Sequence, residues 1–260
     1  MENTLVMLSS IHIHKNVLFP WQVNDYIYGK CTGFCIEYNG EKFIMTNSHC
    51  VSGNKININS FLNSNEEIGF LEYESECFDL AIYKSEICDK LIGLSINNDL
   101  PNLGDDLYIY SVQSNNINID VGIYRSLELI KYNLTKVLSI FIDGTVFPGD
   151  SGGPVTDKNG KLIGVIFLGN NTNYLGWCVA SPVITSFFMR YEYFKKTNNK
   201  LININFSIYT QHLNNQHNIK EYYNLDPTKN KGVLVLGPKM CNNYLFKQKI
   251  LKKRYFIKNK

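Results

Sequence analysis

The sequence predicts an all-β chain, an antiparallel barrel or sandwich, with helix confined to its later part. Three observations lead there. Short runs rich in β-branched and aromatic residues recur between turn signals, from GFCIEY near residue 35 to GWCVA near residue 178. Asn-Gly pairs at Asn39-Gly40 and Asn159-Gly160 each separate two such runs, the strongest short-range signal for a hairpin. The first segment with helical character, VITSFFMRYEYFKK, comes only after Pro182.

In chain order, the predicted strands are GFCIEY, KFIMTN, KININS, IGFLEY, LAIYK, LYIYSV, IDVGIY, VLSIFI, KLIGVIF and GWCVA. Each is four to eight residues of β-favouring side chains bounded by Gly, Asn, Asp or Ser. Residues 200–260 mix possible strands at NFSIY and GVLVLG with possible helices at NIKEYYN and NNYLFKQKILKK. No internal repeat is evident. A length of 260 residues with 44% hydrophobic content suits a large β domain plus a smaller appendage.

Composition narrows the setting. No run approaches the roughly eighteen apolar residues of a membrane helix, and MENTLVMLSSIHIHKNV lacks a basic segment followed by an apolar core, so the expected location is intracellular. Seven cysteines without repeated metal spacing fit free thiols in a reducing compartment, and Cys31 and Cys35 are too isolated for a zinc site. No cofactor is expected. Charge is uneven: after Asp226 the chain carries ten Lys or Arg and no acid, leaving the first 226 residues at −7. A basic end of this kind reads as a solvated terminus, the alternative being contact with nucleic acid or an anionic membrane through Lys252, Lys253 and Arg254. The abundance of Asn, Ile, Lys and Tyr resembles coding from an AT-rich genome, such as that of a large DNA virus or a protist.

The chemistry centres on TVFPGDSGGPV at 145–155, where Ser151 stands among Gly149, Gly152 and Gly153. GDSGG matches G-x-S-x-G, the nucleophile elbow, but that elbow needs a helix next and then an acid and a histidine. The residues after Ser151 read as a hairpin, and the later histidines, His212 and His217, lie in a polar stretch. The other serine-nucleophile geometry places histidine and aspartate upstream. FIMTNSHCV at 43–51 ends an apolar strand in a polar turn holding His49, and CFDLAIY at 77–83 puts Asp79 at the start of another strand.

With these residues in the order His49, Asp79, Ser151, the chain resembles the Deg/HtrA family of trypsin-like-fold serine proteases, the plant-type branch above all. TNSHCV resembles the family's TN-x-H-V-V, DLAIYK its D-L-A-x-L-K, FPGDSGGPV its N-P-G-N-S-G-G-P, and GWCVASPVI its closing G-Y-x-I-P-T-P-V-I. LFPWQV at 18–23 resembles the branch's L-P-W-Q segment. The resemblance implies a double β-barrel with a C-terminal helix over residues 1–197, and over 198–260 a small α+β, truncated PDZ-like region with a basic tail. It implies a serine endopeptidase acting on unfolded or misfolded polypeptides and assembling as a homo-oligomer, usually a trimer. The rival reading is a binding or structural protein that keeps the fold around an inactive or switchable site.

By the same resemblance, His49 is general base and then acid, Asp79 holds its imidazole, and Ser151 is the nucleophile. The backbone of Gly149, Asp150 and Ser151 forms the oxyanion hole. Thr145 falls at the base of the substrate pocket and Ile166, Phe167 and Leu168 on its wall; with no acid there, cleavage after small or aliphatic residues is expected. Asp150 stands where the family usually has Asn, and if buried it needs a partner. Cys35 lies fifteen residues before Cys50, close to the spacing of a bridge in secreted trypsin-like enzymes. The 198–260 region holds too little chain to complete a PDZ fold, so it is expected to dock or to pair with another subunit instead of binding peptides alone.

Overall fold

The computed structural model describes residues 1–13, 26–51, 53–62, 66–114, 116–132, 135–170 and 174–198, and the backbone of three later strands at 208–212, 233–238 and 256–257. Among the described residues twelve strands precede the helix. The first six are β1 (Leu5–Ile13), β2 (Tyr26–Tyr38), β3 (Glu41–Thr46), β4 (Lys55–Ser60), β5 (Glu67–Ser75) and β6 (Leu80–Lys84). They close into a barrel in the order β1-β2-β3-β6-β5-β4, with β1 pairing β4 from Val6↔Ser60 to Ser9↔Asn57. The next six are β7 (Asp106–Gln113), β8 (Asn116–Tyr132), β9 (Thr135–Asp143), β10 (Pro154–Thr156), β11 (Leu162–Asn170) and β12 (Leu175–Ala180). They form a second closed barrel, β10-β11-β12-β9-β8-β7, sealed by Val155↔Ile109 and Thr156↔Tyr108. Closure removes the unpaired edges that an open antiparallel sheet would leave.

The predicted strand runs fall on β2 to β9, β11 and β12; β1 and β10 lie outside them. Both Asn-Gly signals mark hairpins, in different ways. Asn39 and Gly40 both take positive φ, 50° and 78°, as a two-residue turn joining β2 to β3 requires. At the second, only Gly160 is left-handed, and the turn from Asp157 to Lys161 is closed by Gly160 N–H to Asp157 O at 3.0 Å and Asp157 N–H to Lys161 O at 3.0 Å.

Period-two alternation divides the side chains between three cores. Val6, Leu8, Ile44, Ile56, Ile58, Ala81 and Tyr83 fill the first barrel, and Leu107, Ile109, Ile140, Ile142, Val155, Ile163 and Ile166 fill the second. The opposite faces of the same strands are also buried: Leu5, Phe34, Phe43, Met45, Leu80 and Ile82 meet Leu162, Val165 and Val179 in the seam between the barrels. Strands buried on both faces read as unbroken apolar runs, which is why FIM and LAIY carry no polar alternation.

Helix α1 (Ser181–Thr197) closes this seam. Pro182, whose fixed φ suits the first turn, follows its first residue, and Asn198 caps its end in the left-handed region at φ 54°. Val183, Ile184, Phe187, Phe188 and Tyr191 are spaced to lie on one face and join the seam. Among the described residues no helix is long and apolar enough to cross a membrane. By internal packing the chain divides into a unit of Met1–Leu201 and a unit of Ile202–Lys260. The second contains β13 (Ile208–His212), β14 (Val233–Pro238) and β15 (Phe256–Ile257) as an antiparallel sheet with β14 central. Its expected helices lie outside the described residues, as does LFPWQV.

Phe188 is fully buried, stacks on Tyr38 with ring centroids 4.2 Å apart and meets Phe187 edge-on at 5.6 Å. Phe188→Ala should therefore lower stability by about 3–5 kcal/mol in urea denaturation, with an unchanged m-value.

Candidate active site

The barrels supply different parts of the site. His49 sits in a 3₁₀ turn, Ser48–Cys50, that follows β3 of the first barrel, and Asp79 immediately precedes β6, the strand paired with β3. Pairing these strands brings the two side chains together: His49 Nδ1 and Asp79 Oδ2 are 2.7 Å apart, and the His49 backbone N–H donates to Asp79 Oδ1 at 3.0 Å. Asp79 is 1% exposed and takes φ 54°, a left-handed conformation that Asp tolerates better than most residues. The Asn47 side-chain amide donates to the Asp79 carbonyl at 3.0 Å and holds that conformation. The imidazole keeps a partly open face, its side chain being 33% exposed.

Ser151 lies on the loop between β9 and β10 of the second barrel. The local pattern folds as two successive turns. Asp150 N–H donates to Phe147 O at 3.1 Å and Gly153 N–H donates to Asp150 O at 2.8 Å. In each four-residue turn the third position is left-handed, Gly149 at φ 103° and Gly152 at φ 84°, the requirement of a type II turn. Pro148 pre-sets the second position of the first turn, and Ser151 occupies the second position of the next. Among the described residues the N–H groups of Gly149 and Ser151 donate to no protein acceptor.

Thr32 of β2, fully buried, joins this loop to the first barrel. Its N–H donates to Ser151 O at 3.1 Å, and its hydroxyl donates to Gly149 O at 2.9 Å while accepting from Val112 N–H at 2.9 Å. Thr46, three residues before His49, donates its hydroxyl to Thr32 O at 2.9 Å. The approach is so close that a Cβ on Gly152 would overlap both Thr32 O and Thr46 Oγ1. His49 and Ser151 are thus held on neighbouring backbone. Among the described residues no hydrogen bond joins His49 Nε2 to Ser151 Oγ; Nε2 lies 3.6 Å from Cys50 Sγ.

The partner that a buried Asp150 needs is neutral. Gln113 Nε2 donates to Asp150 Oδ1 at 2.8 Å and the Phe147 N–H to Oδ2 at 2.6 Å. The pocket residues divide. Thr145 is half-buried on the loop and Leu168 is exposed on β11, whereas Ile166 turns into the core of the second barrel and cannot line a cleft. Phe167 is buried on the seam side and meets Tyr132 edge-on at 5.6 Å; Tyr132 in turn lies 6.0 Å from the His49 ring. Burial, followed by the nearby Asp79 and Cys50, pushes the Tyr132 phenol up to about 12. Val146, not singled out in the sequence, packs where Cβ atoms on Gly169 or Gly176 would collide with it.

The cysteine spacing is misleading. The thiol facing Cys50 is Cys31, and hydrogen bonding between them, with burial, raises the Cys50 pKa. Cys35 points instead to the Cys88 carbonyl, 3.9 Å away, and burial followed by Cys88 pushes its thiol up to about 12. Among the described residues no group of three or more His, Cys, Asp or Glu side chains is placed to hold a metal ion.

The model of the trypsin-like peptidase domain matches residues 31–165, just over half of the chain. The chain belongs to this family. Its curated relatives are Do-like, DegP and HtrA proteases, mostly from plants. The putative protease Do-like 13 of Arabidopsis thaliana is 28% identical over 200 residues, covering 73% of this chain and 40% of that protein. The chain spans only about a third to two fifths of the length of such relatives. Among solved structures, the active form of the Rv3671c protease from M. tuberculosis aligns with TM-score 0.61 at 19% identity, covering 72% of this chain and 80% of that one. The HtrA-type protease AlgW with decapeptide aligns with TM-score 0.64 at 15% identity, covering 90% and 75%. At such identities the likeness establishes the double-barrel fold.

Thr32→Val keeps the shape but strands Val112 N–H and frees Gly149 O. It should cost about 1–3 kcal/mol of stability, read by thermal or urea unfolding, whereas Thr32→Ser should stay near wild type.

Proposed function

We propose that the chain is a serine endopeptidase in which Ser151 attacks a peptide carbonyl, His49 takes and returns the proton, and Asp79 fixes the imidazole. The observation that carries this reading is the two-point hold of Asp79 on His49. One carboxylate oxygen meets Nδ1 and the other the backbone N–H, so the ring presents Nε2 as the free base. The type II turns complete the arrangement: the Asp150 N–H is spent on Phe147 O, so Asp150 supplies no oxyanion donor, while the N–H groups of Gly149 and Ser151 on either side of it are left without acceptors, as an oxyanion requires. Polypeptides are the substrate class, in keeping with the family; unfolded or misfolded proteins are the preferred form.

A latent site is the second reading, favoured by one observation. His49 Nε2 stands toward Cys50 Sγ, and Tyr132 stacks obliquely near the ring, so a small shift of the imidazole toward Ser151 precedes catalysis. Catalytic hydrogen bonds often tighten only when substrate is bound. The two readings differ in reactivity without substrate. Wild type should react with a fluorophosphonate probe at Ser151 and hydrolyse casein, while Ser151→Ala and His49→Ala should each lose nearly all hydrolysis and remain folded. Labelling that appears only after peptide is added identifies the latent form; undiminished hydrolysis by Ser151→Ala refutes both.

The pocket is proposed to accept small or aliphatic side chains, because half-buried Thr145 and exposed Leu168 bring no charge. A peptide library should be cut after Val, Ile, Leu, Ala or Thr in preference to Lys or Arg, and a dominant Lys or Arg signal would refute the pocket assignment.

A further inference from the structure

Asp150 is the one carboxyl buried inside the Ser151 loop, and it has no ion-pair partner among the described residues. A carboxyl in such a place must be satisfied by donors, and here there are two. Phe147 N–H comes from the loop itself, three residues back, and closes the loop on its own side chain. Gln113 comes from outside, from the last residue of β7. The Gln113 side chain also runs beneath the first turn: its Cγ lies 3.7 Å from where a Cβ on Gly149 would stand. The residue before it, Val112, donates its N–H to the Thr32 hydroxyl that binds Gly149 O. The end of β7 therefore reaches the loop twice, directly through Gln113 and Asp150, and by way of the Thr32 hydroxyl through Val112.

We infer that Gln113 is a positioning residue: acting through Asp150, it holds the 147–151 loop in the form that presents the Gly149 N–H to the reacting carbonyl. The inference rests on the serine-peptidase reading for its kinetic consequence, but the structural claim stands apart from it. If the Gln113 amide is lost, Asp150 keeps only the Phe147 N–H. One oxygen of a buried carboxyl is left without a donor, and the loop gains a reason to turn that side chain outward and rotate the Gly149 peptide with it. Among the described residues no cation stands by to replace the amide. The titratable group that faces Asp150 from β8 is Asp120, whose own carboxyl is pushed above the ordinary range by burial first and by Asp150 second.

The test uses the full chain. Gln113→Ala should lower kcat by about 100-fold with KM within about threefold of wild type, because an oxyanion donor acts in the transition state. Amide hydrogen exchange in peptides covering 144–153 should be at least about tenfold faster, with the rest of both barrels unchanged. A kcat within about threefold of wild type, or loop exchange equal to wild type, overturns the inference. Gln113→Glu provides an independent reading should the alanine variant fail to fold. In that variant a protonated carboxyl at position 113 can donate to Asp150 as the amide does, whereas two ionised carboxylates repel, and their closeness raises the pH at which the shared proton is lost. The ratio of Gln113→Glu to wild-type labelling by the fluorophosphonate should therefore rise as pH falls from about 8 to about 5, and a flat ratio overturns the inference. A wild type that never labels and never hydrolyses peptide instead defeats the peptidase reading, and the exchange comparison still decides whether Gln113 holds the loop.

Discussion

The hydrogen bonds of Thr32 are the constraint on which the site depends. His49 and Asp79 are mounted on the first barrel and Ser151 on the second, and the seam between the barrels is apolar. Apolar burial supplies most of the force that holds two such bodies together, but it is non-directional and tolerates sliding. The Thr32 amide and hydroxyl add direction: they tie β2 to Ser151 O, Gly149 O and Val112 N–H within one residue's reach. Thr46 then ties β3, and with it the His49 turn, to the same point. A serine and a histidine on separate barrels keep register through these contacts, and the lack of a Cβ at Gly152 is what lets the chains come close enough to make them.

The barrels and the candidate site residues are legible in the sequence for different reasons. Strands such as β3, β6 and β11 are readable as apolar runs because both faces are buried, and α1 because Pro182 and a one-sided apolar pattern mark it. Strand β10 escapes because three residues carry no period. In β1, Ser9 and Ser10 interrupt the apolar run where Ser10 donates to the Cys50 carbonyl at 3.0 Å. His49, Asp79 and Ser151 are legible from their flanking motifs. Thr32, Asn47 and Gln113 are not, since a polar residue buried or half-buried at a junction leaves no spacing signal; their partners lie 117, 32 and 37 residues away. The same limit explains Ile166. Three consecutive strand residues cannot share a wall when side chains alternate, and the register shift between Ile166 and Leu168 sends the first inward and leaves the last exposed.

The identity of residue 150 follows from the donors around it. Gln113 Nε2 and Phe147 N–H both point at the side chain, and each can only donate. A carboxylate accepts on both oxygens, so Asp meets both. Asparagine, the residue more usual at this position in the resembled family, offers one acceptor oxygen and one amide, and that amide would face the Gln113 amide in its present orientation. With Asn in this position the Gln113 amide would have to turn over, its Oε1 accepting from the Asn amide while the Phe147 N–H kept the Asn oxygen. The identity of residue 150 and the orientation of the Gln113 amide are therefore coupled. Together they satisfy a buried carboxyl in the loop without a cation, provided that the end of β7 and the two type II turns stay in register.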